Sequence, residues 1–195
     1  MNLREHENSD SMKVWLSESE IDAMLASVTD TKRRIALGLG VRCGLRSKEW
    51  LDVKPEHVVD TDASTMLRVW DGKGSKYRET PIPTSLATRI RTVGDIGDGP
   101  SEPVLDVTTT RALRGWINDV GKDMAESTGD PGWLELSTHD LRRTWATTLA
   151  DHDVDALVAL SWGGWSDLDT FLNHYKGPYS PAAMQENREK VDWLG

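Results

Sequence analysis

Cysteine is almost missing from this chain: Cys43 is the only one among 195 residues. A single thiol closes no internal disulfide and builds no cysteine metal cage, which excludes a disulfide-stapled fold and a thiolate zinc site. Within "GVRCGLR" it reads as a small buried side chain. Long apolar runs are missing as well. Nothing approaches the roughly 20 residues of a membrane span or the pattern of a signal peptide, which points to a cytoplasmic protein with no membrane partner. Positive charge is scarce: the net charge is −9, with 20 Asp and 12 Glu against 14 Arg and 9 Lys. A nucleic-acid binder is normally basic, so the overall balance argues against that class. The kind of charge softens the objection, because an Asp-rich, Lys-poor surface suits a high-salt cytoplasm where acidic side chains keep a protein soluble. Under such conditions local basic clusters say more about function than the sum.

What is present suffices for one sizeable domain, with 37% hydrophobic residues. Residues 1–12, "MNLREHENSDSM", are polar and aperiodic and read as a disordered lead-in. In "LSESEIDAMLASV", Ser17 and Glu20 form a capping box ahead of an apolar stripe of Ile21, Met24, Leu25 and Val28. A second helix runs through "TKRRIALGLGVRCG" and a short third through "SKEWLDV". The period then changes: "TMLRVW" and "YRETPIP" predict two strands joined by the turn "DGKGSK". Helical spacing returns at "TSLATRIRTV" and "TTTRALRGWINDVGKDMA", on either side of the loop "GDIGDGPSEP". It continues over 138–150, about 153–161, a piece ending near Tyr175, and a last helix after Pro181. The expected fold is mainly α with a small antiparallel β-sheet (α+β). The body is expected over residues 13–177, with 178–195 as a linker and helix.

Four stretches can carry chemistry. In "STHDLRRTWATTLA", His139 and Arg142 stand three apart and share one side of a helix, beside Leu141, Trp145 and Leu149. Alone, the pair could be surface groups on a packing helix. "HD" also suits a metal phosphohydrolase, but His6, His57, His152 and His174 lack ligand spacing. In "CGLRSKEW", Arg46 and Glu49 fit an exposed i,i+3 ion pair. "DGKGSKYRETPIP" sets Lys73, Lys76 and Arg78 on a hairpin that could simply be solvated. "LSWGGWSDLDTFLNHYKG" places Trp165 ten residues before Tyr175, as two core aromatics would also do.

Taken together and in order, these stretches resemble the catalytic domain of the tyrosine recombinases, the phage integrase family, from about Leu16 to Tyr175. "GLRSKE" is similar to the family's first arginine box, and Lys73 in "GKG" matches its hairpin lysine. "HDLRRTWATTLA" resembles the His-x-x-Arg box, and Trp165 in "GGWSD" stands at the His-or-Trp position. Tyr175 falls at the nucleophile, one residue beyond the usual spacing, so that His174 occupies the customary distance and Tyr179 lies close by. The family's N-terminal DNA-clamping domain has no counterpart in these residues, which implies an excised catalytic domain or a minimal recombinase.

The resemblance implies a catalytic set of Arg46, Lys73, His139, Arg142, Trp165 and Tyr175, with no cofactor and no metal. The tyrosine would form a 3′-phosphotyrosyl link, the arginines would clamp the phosphate, and Lys73 would protonate the leaving 5′-oxygen. His139 would take the tyrosine's proton, and Trp165 would pack the site and donate its indole N–H. Arg143 is expected in a backbone contact or surface ion pair, and Arg111 and Arg114 could touch phosphates or solvent. The implied partners are double-stranded DNA and a homo-oligomer, a tetramer, assembled on it. The segment 178–195 would dock on a neighbouring subunit, and composition would place the source in a halophilic archaeon or its virus. A non-catalytic DNA-binding integrase fragment or regulator is the alternative. Type IB topoisomerases share the chemistry but are usually larger.

Overall fold

The computed structural model describes residues 1–6, 9–71, 76–97, 99–172, 181–191 and 193. The chain start departs from the expected disordered lead-in. Strand β1 (Asn2–His6) pairs antiparallel with β2 (Ser9–Trp15), with Leu3 opposite Val14. The reason lies far away in sequence. Val14 N donates to Asp140 at 3.1 Å and Leu16 N to Thr144 at 3.1 Å, so side chains more than 120 residues downstream meet backbone donors that β1 leaves open.

Helix α1 (Glu18–Ser27) starts at the anticipated capping box. Glu20 N donates to Ser17 Oγ at 3.4 Å, and Ser17 N donates to Glu20 Oε2 at 2.7 Å. Helix α2 (Thr31–Val41) is capped by Asp30, which accepts from Arg33 N at 2.8 Å. All residues from Ile35 to Val41 are buried. A helix enclosed on every side forms the middle of a core.

Helix α3 (Ser47–Trp50) is one turn long. The sheet then gains a strand beyond the two expected: β3 (Val58–Asp60), β4 (Thr65–Asp71) and β5 (Lys76–Pro81), antiparallel in that order. Helices α4 (Thr84–Ile96), α5 (Thr110–Thr128), α6 (Thr138–Asp151), α7 (Ala156–Gly163), α8 (Leu168–Thr170) and α9 (Pro181–Glu189) follow. The mainly helical α+β expectation therefore stands. No helix among the described residues is long and apolar enough to cross a membrane.

Two apolar clusters organise the interior. The larger joins α2, α5 and the sheet and includes Ile35, Leu39, Trp50, Leu67, Ile117 and Leu141. The smaller contains Trp145, Ala146, Ala159, Trp165 and Phe171. Helix α6 belongs to both, through Leu141 in the first and Trp145 in the second. The turn before α3 fits against it only because residue 44 is glycine. Gly44 has φ +65°, and a Cβ there would fall 2.2 Å from the Trp145 ring.

Candidate active site

The expected His-x-x-Arg pair sits in the first turns of α6. Ser137 and Asp140 close a capping box, with Ser137 N donating to Asp140 at 2.9 Å. Asp140 is buried and also accepts from Val14 N and from Arg143 Nη1. Arg143 is therefore in an ion pair, as expected, but a buried one and not at the surface.

Arg142 is 0% exposed. Its Nη1 donates to the Gly44 carbonyl and its Nη2 to the Gly163 carbonyl at 2.6 Å, while its guanidinium lies 4.4 Å from the Trp165 ring centroid. Trp165 is buried between Trp145, stacked at 5.8 Å, and Phe171, met edge-on at 4.9 Å. Cation–π contact and two carbonyl acceptors thus fix the orientation of the fork.

Arg46 precedes α3 and is 38% exposed. It reaches Glu49 Oε1 at 3.1 Å through Nη1 and the Gly164 carbonyl at 2.9 Å through Nη2. The expected Arg46–Glu49 pair exists, but Glu49 is buried at 8% exposure and so is no exposed surface partner. Burial alone would raise the pKa of its carboxyl, but the hydrogen bonds and charge of Arg78, then the backbone hydrogen bond and charge of Arg46, hold it below the usual carboxylate range.

His139 keeps an exposed surface beside this group. The dense protein around it, followed by the charges of Arg143 and Arg142, outweighs Asp140 and lowers its pKa to about 4. At neutral pH the ring is uncharged and able to accept a proton. Four expected residues, Arg46, His139, Arg142 and Trp165, are therefore brought to one place. Lys73 and Tyr175 lie outside the described residues, as do His174 and Tyr179. Arg111 and Arg114 are exposed on α5.

Arg78 is the residue that sequence reasoning misplaced. Expected among the solvated basic residues of the hairpin, it is instead 9% exposed and faces inward opposite Val69. Both Nη atoms reach Glu49 at 2.7 Å, and Nε reaches the Trp162 carbonyl at 3.0 Å. Strand alternation held the signal, since Thr80 and Ile82 also point into the core. The arrangement offers an oxyanion one partly open guanidinium, Arg46, and a neutral imidazole, with the Arg142 guanidinium oriented but fully enclosed.

Residues 14–180 match the phage integrase family. The chain belongs to the phage integrase family. Among relatives of this integrase-family chain, tyrosine recombinase XerA of Thermococcus kodakarensis is 29% identical over 165 residues, covering 80% of this chain and 55% of that protein. Tyrosine recombinase XerA of Thermococcus onnurineus is 28% identical over 158 residues, with the same coverage of 80% and 55%. The chain thus spans about half the length of the curated relatives it matches. Its fold superposes on a crystal structure of XerA recombinase with TM-score 0.72 at 21% identity, covering 91% of this chain and 64% of that one. A Tn1549 transposon integrase solved in complex with circular intermediate DNA gives 0.69 at 18% identity, over 93% and 67%. The integrase from mycobacterium phage Brujita gives 0.63 at 16% identity, over 97% and 60%. The integrase-family fold is the tyrosine recombinase catalytic-domain fold.

Proposed function

We infer that this chain is the DNA-breaking and rejoining domain of a tyrosine-type site-specific recombinase acting on double-stranded DNA. The observation that carries the reading is the meeting of Arg46, Arg142 and Trp165 at the end of α7, with His139 within reach of the arginine charges, in a chain of this family. The Tyr175 phenolic oxygen attacks the phosphorus while the P–O5′ bond breaks. His139, neutral at pH 7, takes the phenolic proton, and Lys73 supplies one to the departing 5′-oxygen. The two guanidiniums balance the charge that gathers on the non-bridging oxygens, a role whose loss generally slows such chemistry on the order of 10²–10³-fold. The bond energy stays in the 3′-phosphotyrosyl link, so rejoining needs no ATP, and with two arginines supplying the charge no metal ion is needed.

The same reading extends to assembly and setting. Subunits gather on DNA, as a tetramer, with residues 178–195 docking on a neighbour. The chain works in the cytoplasm, and its acidic composition fits a halophilic archaeon or its virus. The test is a denaturing gel of a nicked suicide duplex whose sequence is selected from a random pool by binding to the wild type. Wild type should leave a covalent adduct with and without EDTA, and Tyr175→Phe should bind but leave none. An adduct lost in Tyr179→Phe alone would move the nucleophile. DNA bound without any adduct would favour the non-catalytic DNA-binding alternative.

A further inference from the structure

Three consecutive carbonyls at the end of α7 each accept from a different arginine. Trp162 O takes Arg78 Nε at 3.0 Å, Gly163 O takes Arg142 Nη2 at 2.6 Å, and Gly164 O takes Arg46 Nη2 at 2.9 Å. The arginines come from β5, α6 and the start of α3. A helix C-terminus presents unmet carbonyls and the negative end of its dipole, so it is a natural place to gather guanidiniums. The chain leaves the helix through Gly164 at φ +64°, where a Cβ would come within 2.8 Å of Arg78 Cδ. Arg78 and this turn are therefore packed against each other.

Glu49 divides the three arginines into two kinds. Its Oε1 accepts from Arg78 Nη1 at 2.7 Å and from Arg46 Nη1 at 3.1 Å. Its Oε2 accepts from Arg78 Nη2 at 2.7 Å and from the Arg46 backbone N at 2.6 Å. Arg78 is thus held to the carboxylate by two parallel bonds, Arg46 by one longer side-chain bond. Arg78, 9% exposed, has Nε and both Nη atoms engaged within the protein. Its position suits action through a neighbour.

Resting on the recombinase reading, we propose that Arg78 is a positioning residue that serves as the counterion of Glu49, leaving the charge of Arg46 available to the scissile phosphate. The carboxylate is needed where it is, because it orients both the backbone and the guanidinium of Arg46. A lone carboxylate there would also neutralise Arg46. With Arg78 present the trio carries one net positive charge; without it the trio carries none, and Glu49 draws Arg46 away from the phosphate.

A charge-compensation experiment tests this. Single-turnover adduct formation at saturating selected suicide duplex, DNA affinity and thermal melting are measured for wild type, Arg78→Lys, Arg78→Gln, Glu49→Gln and the Arg78→Gln/Glu49→Gln pair. Arg78→Gln should slow the adduct step on the order of 10²-fold, the scale for an impaired preorganised donor. Its DNA affinity should change by much less. Arg78→Lys should keep most of the rate because it keeps the charge. The double variant, which removes charge from both partners, should recover about tenfold over Arg78→Gln. A double variant no faster than Arg78→Gln would overturn the proposal, since removing the stranded Glu49 charge should free Arg46, and a rate recovered only in step with the melting temperature would overturn it as well. Equal slowing by Arg78→Lys and Arg78→Gln, or affinity lost in step with rate, would overturn it too. An active wild type in those cases leaves the recombinase reading standing. A wild type with no adduct removes that reading and this proposal with it.

Discussion

The guanidinium of Arg142 lies 4.4 Å from the ring centroid of Trp165, fully buried, with carbonyls of Gly44 and Gly163 at its two ends. The residue that would grip a phosphate is therefore also a part of the core. Its replacement has to disturb stability and chemistry together.

Arg142→Ala should lower the melting temperature as well as suppress adduct formation. The substitution strips partners from the Gly44 and Gly163 carbonyls, at about 1–3 kcal/mol for each buried group left unmet, and empties space against Trp165. Arg142→Lys should recover part of the stability and little of the rate, because an ammonium cannot reproduce the fork. Calorimetry alongside single-turnover cleavage below both melting points separates the two losses. An Arg142→Ala protein as stable as wild type would contradict the burial argument.

His139 should titrate far below an ordinary histidine in the free protein, near its lowered value of about 4. The unfolded chain then binds the proton at higher pH than the folded chain does. This contribution to stability is complete above about pH 6.5, falls as pH drops, and is gone below about 4. DNA should move the titration upward, since a phosphodiester offsets the arginine charge that helps depress it. Imidazole NMR with His139→Gln for assignment reads both values. A free-protein midpoint at 6.5 would disprove the electrostatic account.

Asp140 joins the start of α6 to β2, accepting from Ser137 N, Val14 N and Arg143. Asp140→Ala should destabilise the protein by roughly 1–3 kcal/mol for each buried donor stranded. It should also accelerate amide exchange at Val14. Unchanged exchange at Val14 would show that the N-terminal strand pair holds its place without this carboxylate.

The acidic surface leads to a salt dependence. With a net charge of −9, self-repulsion is screened at short range only when the Debye length falls to about 3 Å near 1 M salt. The fold should tighten and DNA binding should persist in molar KCl. Circular dichroism across a KCl series checks the first, and equal or better folding at low ionic strength would count against a high-salt origin.

Much of the scaffold was legible because local periodicity writes it into short windows. The Ser17–Glu20 box, the apolar stripe of α1 and the three-residue spacing of His139 and Arg142 all follow from 3.6 residues per turn. The side on which Arg78 lies was legible too, from strand alternation with Thr80 and Ile82. The chemistry of the site also depended on residue type: Arg46 and Arg142 carry charge that no ordinary shift removes.

Tertiary structure decided which charges are spent inside the protein and which remain for a ligand. Arg46 meets Gly164 across 118 residues, Arg78 meets Trp162 across 84, and Arg142 meets Gly163 across 21. No local pattern reports such meetings. The same separation hid β1, whose partner strand is held by Asp140 and Thr144. Periodicity tells a side chain which face to take. Burial and partnership depend on what the rest of the chain brings to that face, and for Glu49 the arrival of Arg78 from β5 turned an ordinary helix pair with Arg46 into a carboxylate shared by two arginines.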